Sequence, residues 1–140
     1  MTEPPVTQAL TPSQQELVDH AKRAREHAYA RYSQFKVGAA VRGESGNLHS
    51  GCNVENASFG LSICAERVAI FKAVCAGERK IVELALVTDG ERASRPCGAC
   101  RQVLSEFGKD AIVIMSNLDG SDVLIRPSRE LFPEPFGLDG

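Results

Sequence analysis

IVELALVTDGERASRPCGACRQVLSEFGKDAIVIM, residues 81 to 115, is the stretch on which the fold turns. Ile81 to Thr88 is apolar apart from Glu83 and is closed by Asp89-Gly90. A short apolar run ended by a turn signal reads as a buried strand. Cys97 to Phe107 reads as a short helix stopped by Gly108, and Ala111 to Met115 as a second buried strand. Strand, helix and strand in that order imply a right-handed crossover and parallel pairing. Sheets of that kind are covered on both faces.

Outward from this unit the elements continue on both sides. Lys36 to Arg42 and Leu48 to Val54 read as strands joined by the turn Gly43-Glu44-Ser45-Gly46-Asn47, hence an antiparallel pair. Cys64 to Ala76 reads as a helix ended by Gly77. Asn117 to Ser121 is a turn, Asp122 to Arg126 a last strand, and Ser128 can cap a short helix through Leu131. Near the start, Thr11-Pro12-Ser13-Gln14-Gln15-Glu16 supplies capping residues and a proline at the first helical position. Leu17, Ala21, Ala24 and Ala28 follow at helical spacing to about Tyr29. The reading is a three-layer α/β/α domain with a mixed five-stranded sheet. It occupies residues 11–140, behind a flexible tail of residues 1–10 that holds Pro4 and Pro5.

A chain of 140 residues suits one domain with a proper core, and 43% hydrophobic with 24% charged residues is ordinary for a globular protein. The net charge of −2 gives no basic footprint for nucleic acid. No apolar run approaches the ~20 residues of a membrane span, and Met1 to Leu10 lacks the apolar stretch of a signal peptide. A cytoplasmic protein with no membrane and no nucleic-acid partner is expected.

Five cysteines in such a chain point to metal or catalytic use rather than disulfides. Three of them stand in a pattern: Cys64-Ala65-Glu66, then Pro96-Cys97-Gly98-Ala99-Cys100. Three thiolates leave one position of a tetrahedral zinc open, which distinguishes a catalytic site from a closed structural one. At the first turns of two helices, free amides and the helix dipole favour thiolate over thiol. Cys97 and Cys100, three apart, share a helical face and can grip one ion.

Zinc with three thiolates carries a net charge of about −1, which weakens its power to acidify water. Arg67 can offset that excess by hydrogen bonding to ligand sulfur. Glu66, two residues after a ligand, is placed to take a proton from zinc-activated water and deliver it to substrate. Cys52 and Cys75 read as small buried side chains, and His20, His27 and His49 as surface residues.

These residues resemble the cytidine deaminase family, the homotetrameric kind with three cysteine ligands. The resemblance runs from about Tyr29 to Phe136. Besides both zinc segments it includes Tyr32-Ser33-Gln34-Phe35-Lys36-Val37-Gly38-Ala39-Ala40 and Asn53-Val54-Glu55-Asn56-Ala57. It implies a cytidine-deaminase-like fold, one Zn²⁺ per subunit held by Cys64, Cys97 and Cys100, and hydrolysis of cytidine and deoxycytidine to uridine and deoxyuridine with release of ammonia, as in pyrimidine salvage. Glu66 would be the catalytic acid–base.

Asn53 and Glu55 alternate around Val54 and so share one face of a strand end, a pairing that suits sugar hydroxyls; the resemblance assigns them to the ribose. It also implies that Phe35 and Phe136 sandwich the pyrimidine and that the Ala65 amide meets the base. Phe59 and Phe136 would reach a neighbouring subunit's site. Many relatives carry Tyr where this chain has Phe59. Two other readings compete: a deaminase of another cytosine nucleoside such as blasticidin S, and a zinc-stabilised binding module without catalysis. The chain keeps Asn-Val-Glu-Asn, from which relatives of the first type depart, and offers no well-spaced fourth ligand for the second.

Overall fold

A computed structural model describes residues 4, 5 and 7–139. The elements in chain order are α1 (Pro12–Arg25), β1 (Val37–Gly43), β2 (Leu48–Cys52), α2 (Ala65–Cys75), β3 (Ile81–Thr88), α3 (Gly98–Gly108), β4 (Ile112–Asn117), β5 (Val123–Pro127) and α4 (Ser128–Leu131). A 3-10 turn spans Phe59–Leu61. The strands form one sheet in the order β2-β1-β3-β4-β5. β3 and β4 run parallel, and every other neighbouring pair is antiparallel. The expected three-layer α/β fold with a mixed five-stranded sheet is the fold observed.

Alternation along the central strands builds the layers. Ala39, Val41, Leu84, Leu86, Val113 and Met115 face the helices α2 and α3 and form one buried cluster. The intervening Ala40, Ala85, Val87 and Ile114 meet Leu17, Val18 and Ala21 of α1 on the opposite face. Side chains two apart share a face of a strand, so a continuous apolar run feeds both layers at once.

Two glycines set how closely the helices lie. A Cβ on Gly38 would fall 1.9 Å from the Ala21 carbonyl oxygen of α1. One on Gly51 would fall 2.7 Å from the Ala69 amide nitrogen of α2. The absence of a side chain at Gly51 therefore lets α2 lie against β2 and fixes the height of its N-terminus, where Cys64 and Glu66 stand.

Most boundaries shift by a residue or two from expectation. Asn117 ends β4 rather than opening a turn, and Ser128 is the first residue of α4 rather than its cap. Two further differences bear on the site. α1 ends at Arg25 rather than near Tyr29, because the Tyr29 amide donates to Asn53 O at 3.0 Å and Glu55 N donates back to Tyr29 O at 2.9 Å. Ala28 continues the helical spacing and its amide still bonds locally to Arg25 O, but a longer-range pairing takes the backbone of Tyr29. Cys64 is the N-cap of α2 rather than its first helical residue.

Of the segment read as a tail, residues 1–3 and 6 lie outside the described residues. Thr7 pairs with Val123, and Gln8 N donates to Val123 O at 3.1 Å. The Gln8 side-chain oxygen accepts from Ile125 N at 2.8 Å and from Arg126 Nη1 at 3.0 Å, so the chain lies along β5 from Thr7 onward. Among the described residues no helix is long and apolar enough to cross a membrane.

Candidate active site

Two helix N-termini converge on one spot. Cys64 caps α2, Cys97 caps α3, and Cys100 lies in the first turn of α3. The three sulfurs all lie within 4.8 Å of one another, with Cys64 and Cys97 3.8 Å apart and Cys97 and Cys100 3.5 Å apart. Tetrahedral zinc with bonds of about 2.3 Å demands sulfur separations of about 3.8 Å. The Cys64–Cys97 pair is at that spacing and the Cys97–Cys100 pair slightly inside it. Soft thiolate donors at tetrahedral separation suit zinc over hard cations such as magnesium or calcium. No fourth His, Cys, Asp or Glu joins the group among the described residues.

Arg67 Nη2 donates to the Cys64 sulfur at 3.4 Å. The Cys64 thiol is lowered to about 5, first by a hydrogen bond with Cys100 and then by Arg67, against the burial that opposes both. Cys100, almost fully buried, is pushed upward by that same hydrogen bond and by its burial. Negative charge thus gathers at Cys64, where the guanidinium and the start of α2 meet it. Arg67 Nε is buried without a partner among the described residues.

Glu66, in the first turn of α2, is only 4% exposed. Burial first, and the neighbouring Cys64 charge after it, raises its carboxyl to about 7. A buried carboxyl poised near neutrality can both accept and return a proton.

These groups open onto a cavity of about 310 Å³. Phe35, Asn53, Glu55, Cys64, Ala65, Glu66 and Cys97 all line it. Ala65 is the first helical residue of α2, whose N-terminal amides receive no bond from the Cys64 side chain. Val54 is outside the lining; its backbone pairs with Tyr29 and Ile63. Phe59, 82% exposed, lies beside Glu55 in an adjoining cavity of about 340 Å³. Phe136, 72% exposed, belongs to a cleft of about 490 Å³ with Lys109 and Leu138 near the far end of α3. That cleft is larger but contains none of the thiols. Phe59 and Phe136 are therefore not brought to the metal cavity of their own chain.

Asn53 and Glu55 have a task within the fold that sequence reasoning did not find. Asn53 Oδ1 accepts from Val37 N at 2.9 Å, and its Nδ2 donates to Phe35 O at 2.8 Å. Glu55 accepts from the amides of Tyr32 and Ser33, each at 3.0 Å, and from the Ser33 hydroxyl. The bonds from Ser33 lead the causes that hold the Glu55 carboxyl below its usual range. Between these anchors Gln34 adopts φ 60, a left-handed conformation unusual for a side-chain-bearing residue. Both polar side chains thus brace the loop that presents Phe35. The sequence held one signal for this arrangement, Ser33 two residues before Phe35.

The other wall is the segment between β3 and α3, which contributes Ser94 and Arg95 beside Thr88. Thr88 Oγ1 accepts from Ser94 N at 3.3 Å, and Asp122 Oδ2 accepts from Ala93 N at 2.7 Å. Asn117 Nδ2 donates to Glu91 O at 3.2 Å. No sequence reading singled out these residues; polar side chains around a turn carry no signal of which distant loop they hold. Two bland expectations also change. Cys75 is exposed and Cys52 half-buried, and the largely covered His49 faces Glu78 at 3.3 Å rather than solvent.

A family model described as the cytidine and deoxycytidylate deaminase zinc-binding region matches residues 11–116. The cytidine deaminase of Halalkalibacterium halodurans is 48% identical over 123 residues, 87% of this chain and 92% of its own. That of Sporosarcina psychrophila is 45% identical over 123 residues, 87% and 90% of the two chains. A crystal structure of cytidine deaminase from Burkholderia pseudomallei matches with a TM-score of 0.84 at 46% identity, covering 91% of this chain and 100% of that one.

Proposed function

The chain belongs to the cytidine and deoxycytidylate deaminase family of zinc-binding proteins, and on that premise we propose that its cavity hydrolyses cytidine and deoxycytidine to uridine and deoxyuridine with release of ammonia. The observation that carries this reading is the buried Glu66 carboxyl beside three converging thiols, at the floor of a cavity walled by Phe35, Asn53 and Glu55. Zinc held by Cys64, Cys97 and Cys100 supplies, when bound, the Lewis acidity that makes water nucleophilic near neutral pH.

The chain's own residues do the rest. Glu66 accepts the first proton of the water that adds to C4 and delivers it to N3 of the pyrimidine. It then carries the proton of the new C4 hydroxyl to the amine as the C4–N bond breaks and the C4 carbonyl forms. A carboxyl titrating near 7 serves both directions. Arg67 keeps Cys64 anionic and takes part of the charge of three thiolates. Phe35 offers a ring face to the base, the Ala65 amide a donor, and Asn53 with Glu55 polar groups for the sugar hydroxyls. Preorganised donors of this sort stabilise the hydrated base more than the planar one, which is where rate is gained.

The assembly we propose is a homotetramer in which Phe59 and Phe136 complete a neighbour's cavity. Phe59, Leu61 and Phe136 are each at least 71% exposed, an apolar surface suited to burial against another copy. The place we assign is the cytoplasm, whose reducing conditions suit five free cysteines, and the role pyrimidine salvage.

The deciding experiment measures ammonia release from cytidine, deoxycytidine, cytosine, the 5′-phosphates and blasticidin S, together with zinc content. Preferential turnover of the two nucleosides at one zinc per chain is the expected result. Turnover confined to blasticidin S, or none at all with zinc bound, would overturn the reading.

A further inference from the structure

Cys97 is reached through Pro96, and the carbonyl of Pro96 is held by a residue from beyond the ligand pair. Arg101, which directly follows Cys100, folds its side chain back so that Nε donates to Pro96 O at 2.8 Å. The same guanidinium donates from Nη1 to Leu131 O at 2.6 Å. Leu131 ends α4. The next residue, Gln102, donates from Nε2 to Phe136 O at 3.1 Å. Two consecutive side chains therefore join the metal turn to the C-terminal segment, one at Leu131 and one at Phe136. Among the described residues, the Gln102 bond is the one hydrogen bond tying residues 133–139 to the domain.

A planar guanidinium presents donors along several fixed directions, so it can bridge two carbonyls that a single-headed side chain cannot reach together. Both bonds are charge-assisted, and such bonds are stronger than those between neutral groups. Arg67 acts on sulfur directly, whereas the Arg101 side chain bonds two backbone carbonyls, that of Pro96 just before Cys97 and that of Leu131.

We propose that Arg101 is a positioning residue that couples metal retention at Cys97 to the ordering of the C-terminal segment that carries Phe136. The inference rests on the zinc reading of the three cysteines. Zinc seats the Cys97 turn, the seated turn presents Pro96 O to Arg101, and the fixed guanidinium holds Leu131. The coupling is reciprocal, as any linkage between two ordering events must be.

The test compares wild type, Arg101→Gln and Arg101→Lys as full-length zinc-loaded proteins. One measurement follows zinc release to a chelator, and the other follows amide hydrogen exchange of the peptide covering residues 128–138. Wild type should hold one zinc per chain, and its 128–138 peptide should exchange faster once zinc is removed. Arg101→Gln should release zinc about tenfold faster or more, the range seen when groups that orient metal ligands are lost. Its 128–138 peptide should exchange fast with or without zinc. Arg101→Lys, which keeps the charge but cannot span both carbonyls, should fall between the two and serves alone if the glutamine variant does not fold. A wild type that holds zinc, with variants that match it in either measurement, would overturn this inference alone. A wild type that binds no zinc would overturn the metal reading and the inference with it.

Discussion

Arg67 Nη2 lies 3.4 Å from the sulfur of Cys64, three residues earlier and one turn away at the cap of the same helix. Cation and ligand are therefore locked in register by α2 itself. The Arg67→Gln variant should raise the Cys64 thiol from its value of about 5, leaving less thiolate at neutral pH. Zinc affinity should fall about tenfold or more, because ligands must be deprotonated to bind. Thiolate absorbance against pH in the zinc-free protein, with competitive zinc titration, checks both parts. An unchanged thiol titration would remove Arg67 from this role.

Glu66→Gln should keep zinc and the fold while uridine formation falls about a hundredfold to ten-thousandfold, the usual worth of a positioned acid–base. Near-normal turnover would sink the assignment. A stability signature accompanies it in the zinc-free protein. The folded-state pKa of Glu66 is raised to about 7 by burial. Wild-type stability is thus full below the ordinary carboxyl range and declines as pH rises through that value. A neutral glutamine escapes the decline. Denaturant midpoints should therefore favour the variant at about pH 8 and converge with wild type at about pH 4.

Glu55→Gln should raise KM for cytidine and deoxycytidine while zinc content stays unchanged. Because the carboxylate also accepts the Tyr32 and Ser33 amides, Glu55→Ala should in addition loosen residues 31–36, seen as faster amide exchange there. Unchanged kcat/KM for cytidine in the glutamine variant would take Glu55 out of the sugar site.

Subunit mixing tests the shared cavity. Glu66→Gln and Phe136→Ala homo-oligomers should each be impaired, and oligomers reassembled from both should regain activity. Sites with Glu66 from one chain and Phe136 from another explain the gain. Activity that stays at the average of the two parents would assign Phe136 to its own chain.

Gly38→Ala should destabilise the fold by about 1–3 kcal/mol or more, since overpacking forces backbone apart. Its Cβ would meet the Ala21 carbonyl oxygen of α1, which has no side-chain freedom to yield. Urea denaturation measures it directly.

The sheet and its layers were legible because each strand announces itself locally. Leu84 and Leu86 against Ala85 and Val87 carry the two faces in their order alone. The convergence of three thiols was equally legible, since Cys64, Cys97 and Cys100 sit at helix starts that the sequence marks with a neighbouring proline or the onset of an apolar run. What stayed hidden depends on partners remote in sequence. The end of α1 is decided by Asn53, twenty-four residues beyond Tyr29. Arg101 and Gln102 directly follow Cys100, yet their side chains reach the carbonyls of Leu131 and Phe136. Asn117 and Asp122 look like ordinary turn residues until the fold brings the 89–97 segment against them.

The contact of Thr7 and Gln8 with β5 has a bearing on solubility. β5 is the outermost strand on its side of the sheet, and a bare outer strand is a template on which another molecule's strand can add. Here the template is occupied by the chain's own beginning. After a single bridge at Thr7, Gln8 satisfies the Ile125 amide with a side-chain oxygen instead of a backbone carbonyl. A ladder that passes from main chain to side chain cannot be extended by a further strand. Thr7 and Gln8 thus act as a stopper against strand addition at the β5 edge of the sheet.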